Sequence, residues 1–159
     1  MKSFIEGIYF SQDKSVNYRL SKADINLWIN AINEAVDSDS STKGFISLRL
    51  VNSKQMKELN YKFRKKNKFT NVLAFPSQLE DNNEINNLLG DIALCVEVSQ
   101  KEAEKQEKNL KDHLAHLFVH GTLHLMGFDH KKKSERNKME TIEKRVLIKL
   151  GIDLSLIHI

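Results

Sequence analysis

Two periods of apolar and polar residues alternate along this chain, and the switches between them mark out its elements. The clearest strand is "FISLRLV", where Ile46, Leu48 and Leu50 fall on one side and Ser47 and Arg49 on the other, as a half-buried strand requires. "SFIEGIYF" alternates less cleanly and predicts an edge strand, "NVLAFP" a short strand stopped by Pro76, and "DIALCV" an apolar strand. Elsewhere the apolar spacing lengthens to that of a helix. Ile25, Trp28, Ile29, Ile32 and Val36 recur at this spacing behind "SKAD". There Ser21 can accept a backbone hydrogen bond and Asp24 can reach back, forming a capping box. Asn52 or Ser53 caps a short helix carrying Met56, Leu59 and Phe63, and Ser99 with Glu102 offers a second capping box. Leu110, Leu114, Leu117, Phe118, Leu123 and Leu125 predict a helix over 110–126. Gly127 is placed to end it in a left-handed conformation. A last helix starts near Ser134, carries Met139, Ile142, Val146 and Leu150, and closes at Gly151.

The polar runs "DSDSSTKG" and "QLEDNNEINNLLG" connect these elements, the second as a hairpin connection. Strands and helices are interspersed without a regular βαβ rhythm. The expected fold is therefore α+β, with a small mixed sheet packed against several helices. A length of 159 residues suits one domain spanning 1–159. Forty per cent apolar residues and a single proline exclude a disordered chain. The lone cysteine, Cys95, excludes an intrachain disulfide and fits a reducing compartment. Its apolar neighbours predict a small buried hydrophobe rather than a reactive thiol. "MKSFIEGIYFSQDK" has an acidic residue inside its short apolar run and no clean cleavage pattern. No uncharged stretch approaches the roughly 20 residues that cross a bilayer. The expectation is a cytoplasmic protein with no membrane partner.

Charge sharpens this picture through its distribution more than its sum of +4. "YKFRKKNK" packs Lys62, Arg64, Lys65, Lys66 and Lys68 together, and Lys131, Lys132 and Lys133 form a second cluster. Such clusters attract phosphate backbones, although a solvated lysine-rich surface has the same composition. Trp28 lies within an apolar helix stripe and reads as packing rather than as a stacking platform for bases.

The candidate chemistry sits in "HLFVHGTLHLMGFDH". His120 and His124 are four residues apart on one predicted helix, so only about 40° separates them around its axis and both rings can face one ion. Gly127 lets the chain turn back and deliver His130 from another direction. Three imidazoles and an open position describe a catalytic zinc arrangement, a closed structural site having four protein ligands. Imidazole also accepts nickel, cobalt, copper or iron. Asp129 can orient a ligand histidine through a hydrogen bond or cap the following turn. His116, four residues before His120, is a substrate-facing group, a proton-transfer group or a neighbour in the stripe. His113 and His158 read as incidental.

Position 121 decides between reactions. A zinc protease of the H-E-x-x-H type carries a glutamate after its first histidine to take the proton from water. Here that residue is Gly121. A peptidase would need its base from His116 or from a glutamate of the last helix. A metal can still lower the pKa of bound water toward neutrality, and nearby cations can neutralise a phosphate. Arg64 is the best single cation, because a guanidinium binds phosphate through two parallel hydrogen bonds.

These residues resemble the YbeY endoribonuclease family. "HGTLHLMGFDH" is similar to its H-G-x-L-H-L-x-G-[YF]-D-H signature, "FRKKNKFTNVLAFP" to its R-x-x-x-x-x-T-[DN]-V-L-[SA]-F-P stretch, and "GDIALC" to its G-D-I strand. The closing M-x-x-x-E pattern appears as Met139 and Glu143. Phe69 stands where many relatives place proline, and Ala74 where serine is common. The resemblance implies metal coordination by His120, His124 and His130, a catalytically important Arg64, and His116 near the site. It implies one divalent ion, zinc by preference, and cleavage of single-stranded RNA in 16S rRNA 3′-end maturation and late 70S ribosome quality control. The implied partners are precursor 16S rRNA, the ribosome or its small subunit, and assembly-factor proteins. Lys65, Lys66 and Lys68 would guide the RNA, with Lys131 to Lys133 extending the track, and Phe69 or Phe128 either stacks on bases or packs in the core. The competing expectations are a zinc metallopeptidase and a non-catalytic RNA-binding assembly factor with a structural metal.

Overall fold

A computed structural model describes residues 5–36, 43–77, 87–128 and 131–153. The elements run β1 (Ile5–Gln12), α1 (Lys22–Ala35), β2 (Gly44–Val51), α2 (Ser53–Arg64), β3 (Val72–Pro76), β4 (Leu88–Cys95), α3 (Val96–Lys105), α4 (Leu110–Leu125) and α5 (Lys133–Lys149). The four strands form one sheet in the order β1-β2-β4-β3. β1 and β4 run parallel to β2, while β3 runs antiparallel to β4 at the edge. The mixed sheet with helices is the expected α+β architecture.

Strand alternation assigns two unequal faces. Ile46, Leu48 and Leu50 of β2, with Ile92 and Leu94 of β4, pack against buried residues of α1, α4 and α5 in the main core. Trp28 and Phe118 join two of those helices, their ring centroids 5.6 Å apart. The opposite face carries a smaller cluster, in which Val51, Leu73, Ala93 and Cys95 meet Met56 of α2. Cys95 is buried there, as its neighbours predicted. Thus α2 and α4 cover opposite faces, and both reach the edge strand. Phe63 of α2 packs on Phe75 of β3, centroids 4.6 Å apart, while α4 approaches Val72 and Ala74 from the other side.

The helix ends confirm some local signals and correct two. Ser21 Oγ accepts the Asp24 amide at 3.1 Å, but Asp24 lies 3.8 Å from Lys111 instead of closing the box. Asn52, not Ser53, caps α2, and both bonds of its box with Gln55 are made, at 2.8 and 3.0 Å. The expected box at Ser99 and Glu102 does not exist, because α3 starts directly at Val96. Ser99 is buried inside that helix and donates to the Cys95 carbonyl at 2.7 Å. Gly127 adopts φ 95° just beyond α4, a conformation that costs other residues about 1 kcal/mol or more. Among the described residues no helix is long and apolar enough to cross a membrane.

Candidate active site

Helix α4 is buried along most of its length, which fixes the direction of each histidine. An ideal Cβ built on Gly121 would lie 3.5 Å from Val72 Cγ2 and 3.6 Å from both Ala74 Cβ and Ile92 Cδ1. Position 121 therefore faces the sheet. His120 and His124 project elsewhere and converge, with ring centroids 4.8 Å apart at an interplanar angle of 79°. The His120 side chain is 31% exposed, and His124 is half-buried.

Behind His120 lies a residue whose place was legible only as a family pattern. Met139, Glu143, Val146 and Leu147 form the buried stripe of α5. Glu143 is a carboxylate in a row of hydrophobes, 1% exposed. Its Oε1 lies 2.5 Å from His120 Nδ1, and its Oε2 lies 3.7 Å from His116 Nε2. The second distance is within electrostatic reach but too long for a hydrogen bond. Among the described residues, Glu143 Oε2 and His116 Nδ1 have no hydrogen-bond partner, and both are buried. Burial pushes the Glu143 carboxyl up, but His116 and His120 outweigh that and hold it at about 2. Glu143 is thus an anion, and it engages Nδ1 of the His120 ring.

The donor chemistry suits a divalent metal. Two imidazoles converge at one-turn spacing, and the far nitrogen of His120 is held by a carboxylate, the usual support of a metal-bound histidine. The expected third ligand, His130, and its neighbour Asp129 lie outside the described residues. Among the described residues no three His, Cys, Asp or Glu side chains form a metal-sized group. His116 is 8% exposed and stands behind His120, toward Glu143.

The basic segment lies at the end of α2. Arg64 is its last helical residue, and Lys65 takes a left-handed φ of 59°. Lys65 and Lys66 amides bond back to Tyr61 and Asn60 carbonyls at 3.0 and 3.3 Å, and Asn60 Nδ2 donates to the Lys68 carbonyl at 3.0 Å. The chain is pinned while Arg64, Lys65, Lys66 and Lys68 remain exposed. Basic residues here also suit the negative end of the helix dipole. No hydrogen bond or ion pair joins Arg64 to His116, His120 or His124 among the described residues, and α2 and α4 meet β3 from opposite faces. Phe69 is 57% exposed, with Lys57 Nζ 5.0 Å from its ring centroid. Phe128 packs against the main core. Lys131, Lys132 and Lys133 are exposed around the start of α5.

His113 is not incidental. It is buried on α4, and its Nε2 lies 2.8 Å from Glu102 of α3. Glu102 also accepts from Asn71 at 3.0 and 3.2 Å. Burial pushes the His113 ring below the ordinary imidazole value, only partly opposed by Glu102. The triad clamps α3, α4 and the approach to β3. Nothing local in the sequence joins His113 to Glu102, which reads there as half of a capping box.

Residues 8–151 match the family described as Endoribonuclease YbeY. The chain is 44% identical to Endoribonuclease YbeY of Colwellia psychrerythraea, over 83% of this chain and 84% of that protein. It is 41% identical to the Alteromonas mediterranea protein of the same name, over 84% and 82%. Against that of Polynucleobacter asymbioticus it is 45% identical, over 82% and 77%. A solution structure of a Thermotoga maritima protein superposes with a TM-score of 0.57 at 22% identity, covering 91% of each chain. That likeness is one of fold.

Proposed function

Because the chain belongs to the endoribonuclease YbeY family, we propose that it is a metal-dependent endoribonuclease that cleaves single-stranded RNA. We place its work in 16S rRNA 3′-end maturation and late 70S ribosome quality control. Its partners would be precursor 16S rRNA, the small subunit or ribosome, and assembly-factor proteins, and its compartment the cytoplasm. The whole chain, 1–159, would act as one domain. The observation that carries this reading is the convergence of the His120 and His124 rings, with Glu143 holding the far side of His120.

His120, His124 and His130 would hold one divalent ion, zinc by preference. When bound, such an ion supplies Lewis-acid polarisation of a phosphate oxygen or of the attacking oxygen. Arg64 would bind the phosphodiester through paired N–H donors and offset its charge. Lys65, Lys66 and Lys68 would hold the strand by its phosphates, and exposed Phe69 offers a face for base stacking. The nucleophile is water or the RNA 2′-hydroxyl. His116, set back beside Glu143, would act through His120. The peptidase alternative loses support, because His116 and Glu143, the histidine and the last-helix glutamate nearest the site, are both buried, and Glu143 Oε1 is already engaged on His120 Nδ1.

The test compares cleavage of a defined single-stranded rRNA precursor by purified wild type, His124→Ala and Arg64→Ala, with metal content measured in parallel. The expected result is loss of cleavage in both variants, with metal lost only from His124→Ala. Undiminished cleavage in both would place the activity elsewhere. Metal-loaded wild type that binds the RNA without cutting it would favour the assembly-factor reading, and cleavage of peptides alone would favour the peptidase.

A further inference from the structure

We propose that Glu143 is a positioning residue that fixes the tautomer and orientation of His120, so that this ring presents the lone pair of Nε2 to a metal ion. The proposal rests on the metal reading above. Its observations are the 2.5 Å contact between Glu143 Oε1 and His120 Nδ1 and the burial of Glu143 among Met139, Val146 and Leu147.

A carboxylate at a core position of an amphipathic helix costs several kcal/mol unless it is paired and hydrogen-bonded. Leucine would fill the same stripe at no such cost. The carboxylate therefore has to be explained by what it touches, and among the described residues it touches two histidines of α4. An ionised carboxylate only accepts hydrogen bonds. Its partner atom, His120 Nδ1, must then carry the proton, and in the neutral ring that leaves Nε2 as the bare, metal-binding nitrogen. The second oxygen faces His116 Nε2 at 3.7 Å. This places His116 as a support for the carboxylate, one helical turn from the ring it steadies. Three residues thus form a line from α5 through the core to the site, and the docking of α5 on α4 becomes part of the geometry of His120.

The alternative is a core ion pair that serves stability alone, and the two readings separate in measurement. The full chain is labelled with ¹⁵N at its histidines, and ring tautomers are read by long-range ¹H–¹⁵N correlation without metal, at a pH where the rings are neutral. His120 is expected as the Nδ1–H form in wild type. Glu143→Gln keeps an acceptor oxygen and is expected to keep that tautomer. Glu143→Leu is expected to release it toward the Nε2–H form. Zinc affinity, titrated separately, is expected to fall in the order wild type, Gln, Leu, with Leu roughly 10–100-fold weaker. Affinities are read on protein that thermal unfolding shows to be folded, so a loss in the Leu variant reports the site and not the core.

An Nε2–H form of His120 in wild type overturns the proposal, as does equal zinc affinity in all three proteins. If Glu143→Leu does not fold, wild type against Glu143→Gln decides: weaker zinc binding supports positioning, and unchanged binding overturns it. Wild type that binds no zinc removes the metal reading and this inference together. That outcome is distinct from wild type that binds zinc and variants that match it.

Discussion

Gly121 shows how one residue carries two meanings. Along the sequence it is the missing base of a peptidase; in the fold it is a position where α4 faces Val72, Ala74 and Ile92. The gaps of 3.5–3.6 Å are ordinary contacts, so Gly121→Ala should fit and gain about 1 kcal/mol from helix propensity. Gly121→Glu should drive a carboxylate into the sheet and cost several kcal/mol. Thermal unfolding of the two variants checks this, with Tm raised slightly in the first and lowered by many degrees in the second. Glu143 poses the opposite problem. In the sequence it is visible only as the glutamate of the M-x-x-x-E pattern; its burial and its partner His120, 23 positions away, come from the fold.

The Glu143 carboxyl also makes a pH prediction. In the unfolded chain it has its ordinary value of 4.5, whereas the fold holds it at about 2. Between those values the unfolded chain binds more protons than the native one. The stabilisation is therefore complete above pH 4.5 and is lost as the pH falls toward about 2. Denaturant midpoints measured across this window should decline for wild type, and Glu143→Leu should flatten the decline. An equally steep decline in the variant would assign it to other carboxylates.

At the scale of elements, the helices were more legible than their starts. The pattern of Leu110 to Leu125 predicts α4 to within a residue, because a long apolar stripe leaves few alternatives. The pattern at Ser99 and Glu102 misleads because a capping box needs a polar, non-helical approach, and here β4 turns into α3 without one. Asn52 is the contrasting case. It follows β2 directly, and its side chain closes the box while also donating to Ser15 at 2.8 Å. Asn52→Ala should cost about 1 kcal/mol by the loss of the cap. Urea unfolding should show a lower midpoint with an unchanged slope, and an unaltered midpoint would deny the cap its role. Strand existence was readable from alternation in the same way, but the order β1-β2-β4-β3 was not. The antiparallel pairing of β3 with β4 follows from the expected hairpin connection, but nothing local in "NVLAFP" places it at the edge.

For the molecule as a whole, the helix that carries the basic segment and the helix that carries the histidines lie on opposite faces of β3, the edge strand. The histidines were legible because helical spacing alone brings His120 to His124. The relation of Arg64 to them was not, since it depends on which face of the sheet α2 covers. Phe63 against Phe75 settles that α2 lies opposite α4. Strand capture and metal binding should therefore be separable. Each lysine that contacts a phosphate of single-stranded RNA contributes about 0.7 to the slope of log K against log salt concentration. Lys66→Ala, on a segment held by the backbone of α2 rather than by the lysine side chain, should reduce that slope by about this amount if Lys66 makes one such contact. Zinc affinity should stay at the wild-type value. RNA binding to metal-free protein, measured by fluorescence anisotropy across a salt series, provides the slope while keeping the RNA intact. An unchanged slope would show that this lysine only solvates the surface, and a fall in zinc affinity would show that the two faces are coupled through β3.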